Sequence, residues 1–223
     1  MKKTSLTFLL LCLTACNAPA PVNTTPIATR HSTSNTSALQ QPTGSKGFDY
    51  YLLNLSWSPE FCHSHQSAPE CGKGATFVLH GLWPQNSDGT YPQNCSNAPG
   101  PANPSQYSDI YPDQGLLEHE WRTHGTCSGL SPDAFFTTAR AAFHAFKVPQ
   151  KLAQLNTPMS LPPDQILSLV TQSNPSINAN SLALSCGNNY LTAVEVCLDK
   201  QLHPIACGTV RSCRARTVRI PPP

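Results

Sequence analysis

Charge is scarce in this chain. Only 12% of its 223 residues are Asp, Glu, Lys or Arg, and they nearly cancel at a formal +2. With Lys2 and Lys3 set aside, twelve basic residues face twelve acidic ones, so no field of one sign selects a partner at neutral pH. Eight histidines would make the chain cationic in mild acid. The apolar run Leu6 to Leu13 is too short for a membrane span, which takes about 20 residues. No cysteine pair has C-x-x-C spacing, so neither a zinc ribbon nor a thioredoxin-like redox site is suggested. No internal repeat is visible.

What the N-terminus does contain is Lys2 and Lys3 ahead of that apolar run, the build of a bacterial export signal. The run closes on Leu13-Thr14-Ala15-Cys16, which resembles a lipobox cut just before a cysteine that then receives lipid. The alternative is an ordinary signal peptide cut nearby, with Cys16 incidental. Asn17 is not the Asp typical of inner-membrane retention, so the expected destination is the outer membrane or periplasm, with release from the cell also open. Residues 17–46 are rich in Pro, Thr, Ser, Asn and Ala, and cannot bury enough surface to offset their ordering entropy. They read as a flexible tether. About 175 residues remain, enough for one domain at 47–223 with a real core. Setting aside Cys12 and Cys16 leaves Cys62, Cys71, Cys95, Cys127, Cys186, Cys197, Cys207 and Cys213. An even count in an exported chain implies disulfides whose connectivity the spacing leaves open.

Phe48 to Trp57 reads as a strand ended by Ser58-Pro59, followed by a short polar loop between Cys62 and Cys71. Ala75 to Leu79 reads as a buried strand that delivers His80 at its end, where Gly81 lets the chain turn. Pro84 to Pro112 reads as a long irregular loop pinned by Cys95. Gln114 to His124 can be helical, with Gly125 placed to end it. Ser131-Pro132 is a strong helix start. Phe135, Phe136, Ala139, Ala142, Phe143 and Phe146 follow at helical spacing and read as core. Pro163 to Gln172 reads as a further helix with Ile166, Leu167 and Val170 on one face. Tyr190 to Leu198 alternates, placing Val194, Val196 and Leu198 on one side of a strand. Arg211, Arg214, Arg216 and Arg219 near the end read as a solvated strand face, or as a basic edge for phosphates.

Against this thinly charged background, Glu118 to His124 holds two imidazoles and two carboxylates in seven residues. On a helix each residue turns roughly 100°, so Glu120 and His124 share a face. A carboxylate beside an imidazole orients the ring and favours its charged form. A third histidine, His80, stands upstream beside Trp83. Two imidazoles on opposite sides of a phosphodiester suit one task well: one withdraws a proton from an attacking hydroxyl while the other protonates the leaving oxygen. RNA carries its own nucleophile, the 2′-hydroxyl, so neither a metal nor a covalent enzyme intermediate is required. His63, His65, His144 and His203 read as ordinary core or surface residues.

His80-Gly81-Leu82-Trp83-Pro84 and His119-Glu120-Trp121-Arg122-Thr123-His124-Gly125-Thr126-Cys127 resemble the two active-site motifs of the ribonuclease T2 family of exported acid endoribonucleases. The likeness runs from the strand at Phe48 to that at Val194–Leu198. It implies an α+β fold: a single disulfide-bonded domain with a central, mainly antiparallel sheet packed against several helices. It further implies His124 as general base on the 2′-hydroxyl and His80 as general acid at the 5′-oxygen. His119 would hold the phosphate and Glu120 would stabilise the transition state. RNA would be cut to 2′,3′-cyclic phosphates and then 3′-phosphates, without a cofactor and by a monomer, with little base specificity. Trp83 and Tyr91 would be stacking platforms for bases; for Trp83 the alternative is core packing. Gln85 stands at a base-recognition position where some relatives have Asp, so base preference does not transfer. Many relatives carry Lys before the last histidine. Here Thr123 takes that place, and Arg122, at a different helix azimuth, is the candidate substitute. The pairing implied is Cys62–Cys71, Cys95–Cys127, Cys186–Cys213 and Cys197–Cys207. Cys127 is then structural and not a nucleophile.

Two rival readings remain. A non-catalytic RNA-binding member of the same fold is kept open by Thr123. A zinc hydrolase is suggested by His119-Glu120 followed by His124. Its histidines, however, are five apart, which on a helix separates them by roughly 140° and not the 40° of H-E-x-x-H.

Overall fold

The computed structural model describes residues 47–72 and 74–223. The expected signal peptide, the lipidation candidate Cys16 and the tether over 17–46 lie outside the described residues.

The organising strand is β1, Tyr50–Trp57. Its alternation sends Tyr51, Leu53, Leu55 and Trp57 into the main core, and Tyr50 and Leu52 into a smaller cluster with Cys197 and Cys207 on the other face. Asn54 and Ser56 continue that second face as polar residues. On one side β1 pairs antiparallel with β2, Phe77–Gln85, and on the other with β5, Tyr190–Leu198. The remaining strands are β3, Met159–Leu161; β4, Leu182–Gly187; and β6, Val218–Ile220. The sheet order is β2-β1-β5-β6-β3, with β4 also paired to β5. Pairing is antiparallel except for one parallel bridge, Tyr190 to Arg219. The expected α+β architecture with a central, mainly antiparallel sheet is the one observed.

Three sequence expectations are corrected. Ser58-Pro59 does not merely end β1 but opens a helix, α1, Ser58–Ser64, with Pro59 in its first turn. There its missing N–H is no loss. Gly81 is no turn, because β2 runs on through it to Gln85. The long loop after β2 contains a 3-10 turn at Pro104–Tyr107, and Tyr107, Ile110 and Tyr111 are buried plugs of the main core. β3 and β6 are three residues each, too short to carry an alternation.

Helix α2, Gln114–Thr123, begins at Asp113, whose carboxylate accepts from the Gly115 and Leu116 N–H groups at 2.7 and 3.4 Å. Helix α3, Pro132–Ala145, begins at Ser131, whose hydroxyl accepts from Ala134 N–H. Its buried Phe135, Phe136, Ala139 and Ala142 form the expected core stripe. Each fully buried phenyl contributes roughly 1.5–3 kcal/mol. Helix α4 is the single turn Gln150–Ala153, and α5 spans Pro163–Ser173 with Ile166 and Val170 buried. All four disulfides implied by the resemblance are formed. Cys95–Cys127 ties the loop after β2 to the 3-10 turn after α2.

Candidate active site

His80 reaches the site through a fault in the sheet. Asn54 is paired with Gly81 and Leu55 with Leu79, so His80 is the extra residue of a β-bulge. A bulge of this kind re-aims a side chain and increases local twist. Its ring lies by Ser56, with Oγ and Nδ1 3.3 Å apart and the direction of the bond following the imidazole tautomer. The next residue has to be glycine. A Cβ on Gly81 would overlap the Glu120 carboxyl and the Trp83 indole.

Helix α2 supplies the facing wall. Leu117 and Trp121 enter the main core, while Glu120, on another side of the helix, is wholly buried against β2. The helix stops at Thr123. His124 takes φ −116°, ψ −46°, and its N–H still donates to Glu120 O at 3.0 Å. Gly125 then opens a 3-10 turn, Gly125–Cys127. Glycine is required there for space, since a Cβ would meet the Trp121 and Phe135 rings.

Because His124 leaves the helix, it converges with His119 despite the roughly 140° that an ideal helix would put between them. One ligand atom from each of His119, Glu120 and His124 lies within 4.8 Å of the others. His80 Nε2 joins them from β2, 3.9 Å from Glu120 Oε1. Trp83 sits in the middle. Its N–H donates to Glu120 Oε2 at 2.8 Å. Its ring stacks on His124 with centroids 5.2 Å apart and meets the edge of His80 at the same distance.

Burial dominates the electrostatics. It pushes the Glu120 carboxyl up to about 8, with the Trp83 hydrogen bond pulling the other way. It pushes His124 down to about 4, helped by charge on His119 and His80. It also holds His80 below the usual imidazole range, again with His119 contributing. The sequence expectation that the carboxylate favours charged imidazoles is therefore reversed, since desolvation disfavours every charged form here. Among the described residues, Glu120 Oε1 and His124 Nδ1 are buried without a hydrogen-bond partner.

The structure thus brings His80, His119, Glu120, His124 and Trp83 together. Gln85 is half-buried at the far end of β2, opposite Tyr50. Tyr91 is exposed on the following loop. Arg122 is exposed and lines a separate depression with Glu118 and Trp121. Ser56 and Gly81 were not among the expected site residues. A polar Asn54–Ser56 pair, two apart in an otherwise apolar strand, is the signal that marks the first.

A bulged histidine and a buried Trp–Glu pair joined to a helix-terminal histidine make a specific constellation. Residues 48–207 match the Ribonuclease T2 family. The chain belongs to the ribonuclease T2 family. Among sequence relatives of this family is a ribonuclease of Aeromonas hydrophila, 44% identical over 105 residues and covering 46% of this chain and 48% of that one. A probable ribonuclease of Haemophilus influenzae is 33% identical over 180 residues, covering 71% of this chain and 61% of that one. The chain therefore spans about half to three-fifths of the length of these curated relatives. Among solved structures, ribonuclease MC1 from bitter gourd seeds is 25% identical with a TM-score of 0.61, covering 77% of this chain and 99% of that one. An RNase-related protein from Calystegia sepium, 23% identical with a TM-score of 0.64, covers 79% and 98% and shares the T2 fold.

Proposed function

We propose that the protein is a metal-independent endoribonuclease that cleaves single-stranded RNA by transphosphorylation to 2′,3′-cyclic phosphates and then to 3′-phosphates, with little base specificity. The observation that carries this reading is the placement of His80 and His124 against the same indole, with the Glu120 carboxyl between them. A ribonuclease MC1 variant, 26% identical to this chain, is known in complex with 5′-GMP, which supports a nucleotide-sized site in this fold.

His124, neutral above about pH 4, withdraws the 2′-hydroxyl proton. His80, protonated in mild acid, delivers a proton to the departing 5′-oxygen. In the second step the two exchange roles as water opens the cyclic phosphate. His119, exposed at the mouth, holds the phosphate. Glu120 is protonated across the working range, and Trp83 already occupies Oε2. The carboxyl proton therefore sits on Oε1, from which it donates to a phosphoryl oxygen as charge develops. A neutral donor meets that charge without repulsion, which offsets part of the absence of a lysine at Thr123. Trp83 and Tyr91 offer stacking faces that accept any base, and Gln85 and Arg122 are peripheral contacts.

The His119–Glu120–His124 cluster favours a second reading, a metal-dependent hydrolase. Digestion of a short mixed-sequence RNA in excess EDTA, with mass analysis of the new ends, separates the two. Cyclic phosphate termini with the rate retained, and no cut in the matching DNA, support the proposal. Loss of cleavage restored by zinc sinks it. Export and anchoring through Cys16 belong to the same proposal and are read by fractionating cells that express the native and Cys16→Ser chains.

A further inference from the structure

Two cavities lead away from the catalytic cluster, and the first still includes its His80 and Trp83. The first, about 480 Å³, is lined by His80, Ser56, Asn54, Thr192 and Glu195, and bordered by Glu60 of α1. The second, about 620 Å³, shares Glu60 with the first and is lined by Tyr190, Arg219, His63 and Ser160. Only β1 separates β2, which carries His80, from β5, which carries both Thr192 and Tyr190. Ser56, beside His80, pairs with Ala193, and Tyr190 stands three residues further along β5, so the second cavity follows the first along that strand, past the shared Glu60.

Its wall holds a cation against an aromatic ring. The Arg219 guanidinium lies over the Tyr190 ring, 5.7 Å from its centroid, and Nη1 donates to the Tyr190 hydroxyl at 3.4 Å. Buried Val218 and Ile220 on either side, and the Arg219 N–H donated to Asn189 O at 2.7 Å, fix the residue on β6. None of the ion pairs among the described residues involves Arg219, so an exposed, oriented cation stands beside an aromatic face with no carboxylate bonded to it. Arg211, Arg214 and Arg216 are exposed in the preceding segment, and no acidic residue occurs after Asp199. The C-terminal edge is thus positive in a chain with little net charge. Glu60 is the one acidic residue lining the cavity, and burial raises its pKa.

We propose that this second cavity is a subsite for the nucleotide on the 3′ side of the leaving nucleoside, its base on Tyr190 and its phosphate on Arg219. The inference rests on the ribonuclease reading, in which His80 faces the departing 5′-oxygen. The strand that begins at that oxygen crosses the first cavity over β1 and β5 and enters the second. A plain solvated strand face predicts no such dependence on substrate length.

The test fixes the register with a single ribonucleotide in an otherwise deoxy oligonucleotide, so that cleavage occurs at one bond. kcat/KM is compared for rA-dA, for rA-dA-dA extended on the 3′ side, and for dA-rA-dA extended on the 5′ side. One stacked base with a paired phosphate is expected to raise the value for 3′ extension about fivefold or more. Arg219→Gln and Tyr190→Leu should each cut that gain to about twofold or less while the gain from 5′ extension persists. An equal 3′ gain in native and variant proteins, or no 3′ gain in the native one, overturns the proposal. The affinities of all-deoxy dA-dA and dA-dA-dA, read by fluorescence anisotropy, keep the two readings apart. A 3′ gain that depends on Arg219 in a protein that cleaves nothing sinks the ribonuclease reading alone. No gain in affinity sinks the subsite.

Discussion

The indole N–H of Trp83 donates to Oε2 of Glu120 at 2.8 Å, and it is the one hydrogen bond that this wholly buried carboxyl makes among the described residues. The same indole carries His124 on its face and His80 at its edge. One ring therefore fixes the spacing of three groups that arrive from two parts of the chain, β2 and the end of α2.

Replacing Trp83 by Phe keeps an aromatic ring but leaves the carboxyl without a donor. A buried polar group losing its partner costs about 1–3 kcal/mol, expected as a lower urea midpoint at pH 6. The Trp83 bond holds the carboxyl down, so the variant should protonate still more readily, and kcat/KM should fall with KM little changed. Unaltered stability and rate together would show that the contact is incidental.

Glu120 also sets a stability slope with an unusual sign. Its folded pKa, about 8, lies above the ordinary 4.5. Its contribution is therefore complete below pH 4.5 and is lost as pH rises through about 8. His124, pushed down to about 4 from 6.5, acts oppositely: its contribution is complete above 6.5 and is lost as pH falls through about 4. Above pH 6.5 the Glu120 slope stands uncompensated by His124. Urea unfolding should lose on the order of 1–2 kcal/mol between pH 6.5 and 8. Burial raises Glu195 too, so the comparison with Glu120→Gln isolates the effect, and that variant should show a flatter profile. Parallel profiles would refute the protonated state assigned to Glu120.

The same shifts give an acid window for activity. In the proposed mechanism His124 acts neutral and His80 protonated. kcat/KM should therefore rise through about pH 4 with His124 and fall again below the usual imidazole range as His80 loses its proton. His124→Ala should lower kcat by roughly 10²–10⁴-fold and abolish the acidic limb. His80→Ala should abolish the alkaline one. A limb that survives removal of its histidine reassigns the roles.

How much of this was legible in the sequence differs residue by residue. His80, His119, Glu120 and His124 stand in two compact motifs whose chemistry follows from residue type, and the cysteine pairs came with the resemblance. The core stripe of α3 was readable because Phe135, Phe136, Ala139 and Ala142 repeat at helical spacing. The bulge at His80 was not, since it exists only in the register of β1 against β2. Nor was the neutral state of Glu120. A helical wheel places the carboxylate beside an imidazole, but only the packed structure shows that burial outweighs that neighbour. Helix α1 was hidden by Ser58-Pro59, a pair that ends a strand and starts a helix equally well. Reading His124 as part of an ideal helix overstated its angular distance from His119. A single departure at the helix end closes that gap.

Gly81 offers the sharpest test of the arrangement. Its backbone φ is not in the left-handed region, so alanine is conformationally acceptable and any penalty is steric. An added methyl would overlap both the Glu120 carboxyl and the indole of Trp83, and neither has room to retreat: one is buried and the other is held between two histidines. Overpacking of this kind costs about 1–3 kcal/mol. A displacement of about 1 Å in catalytic groups lowers rate roughly 100-fold. Gly81→Ala should therefore fold with its disulfides intact, unfold at lower urea, and lose about two orders of magnitude in kcat/KM. Part of the clash is with the indole nitrogen edge, which phenylalanine lacks, and the Glu120 carboxyl loses its tie to that edge, so Gly81→Ala with Trp83→Phe should be less damaged than the two single changes predict by addition. That non-additivity is the signature of direct contact. Strictly additive losses would place the glycine requirement in the backbone of the bulge and not in the groups packed over it.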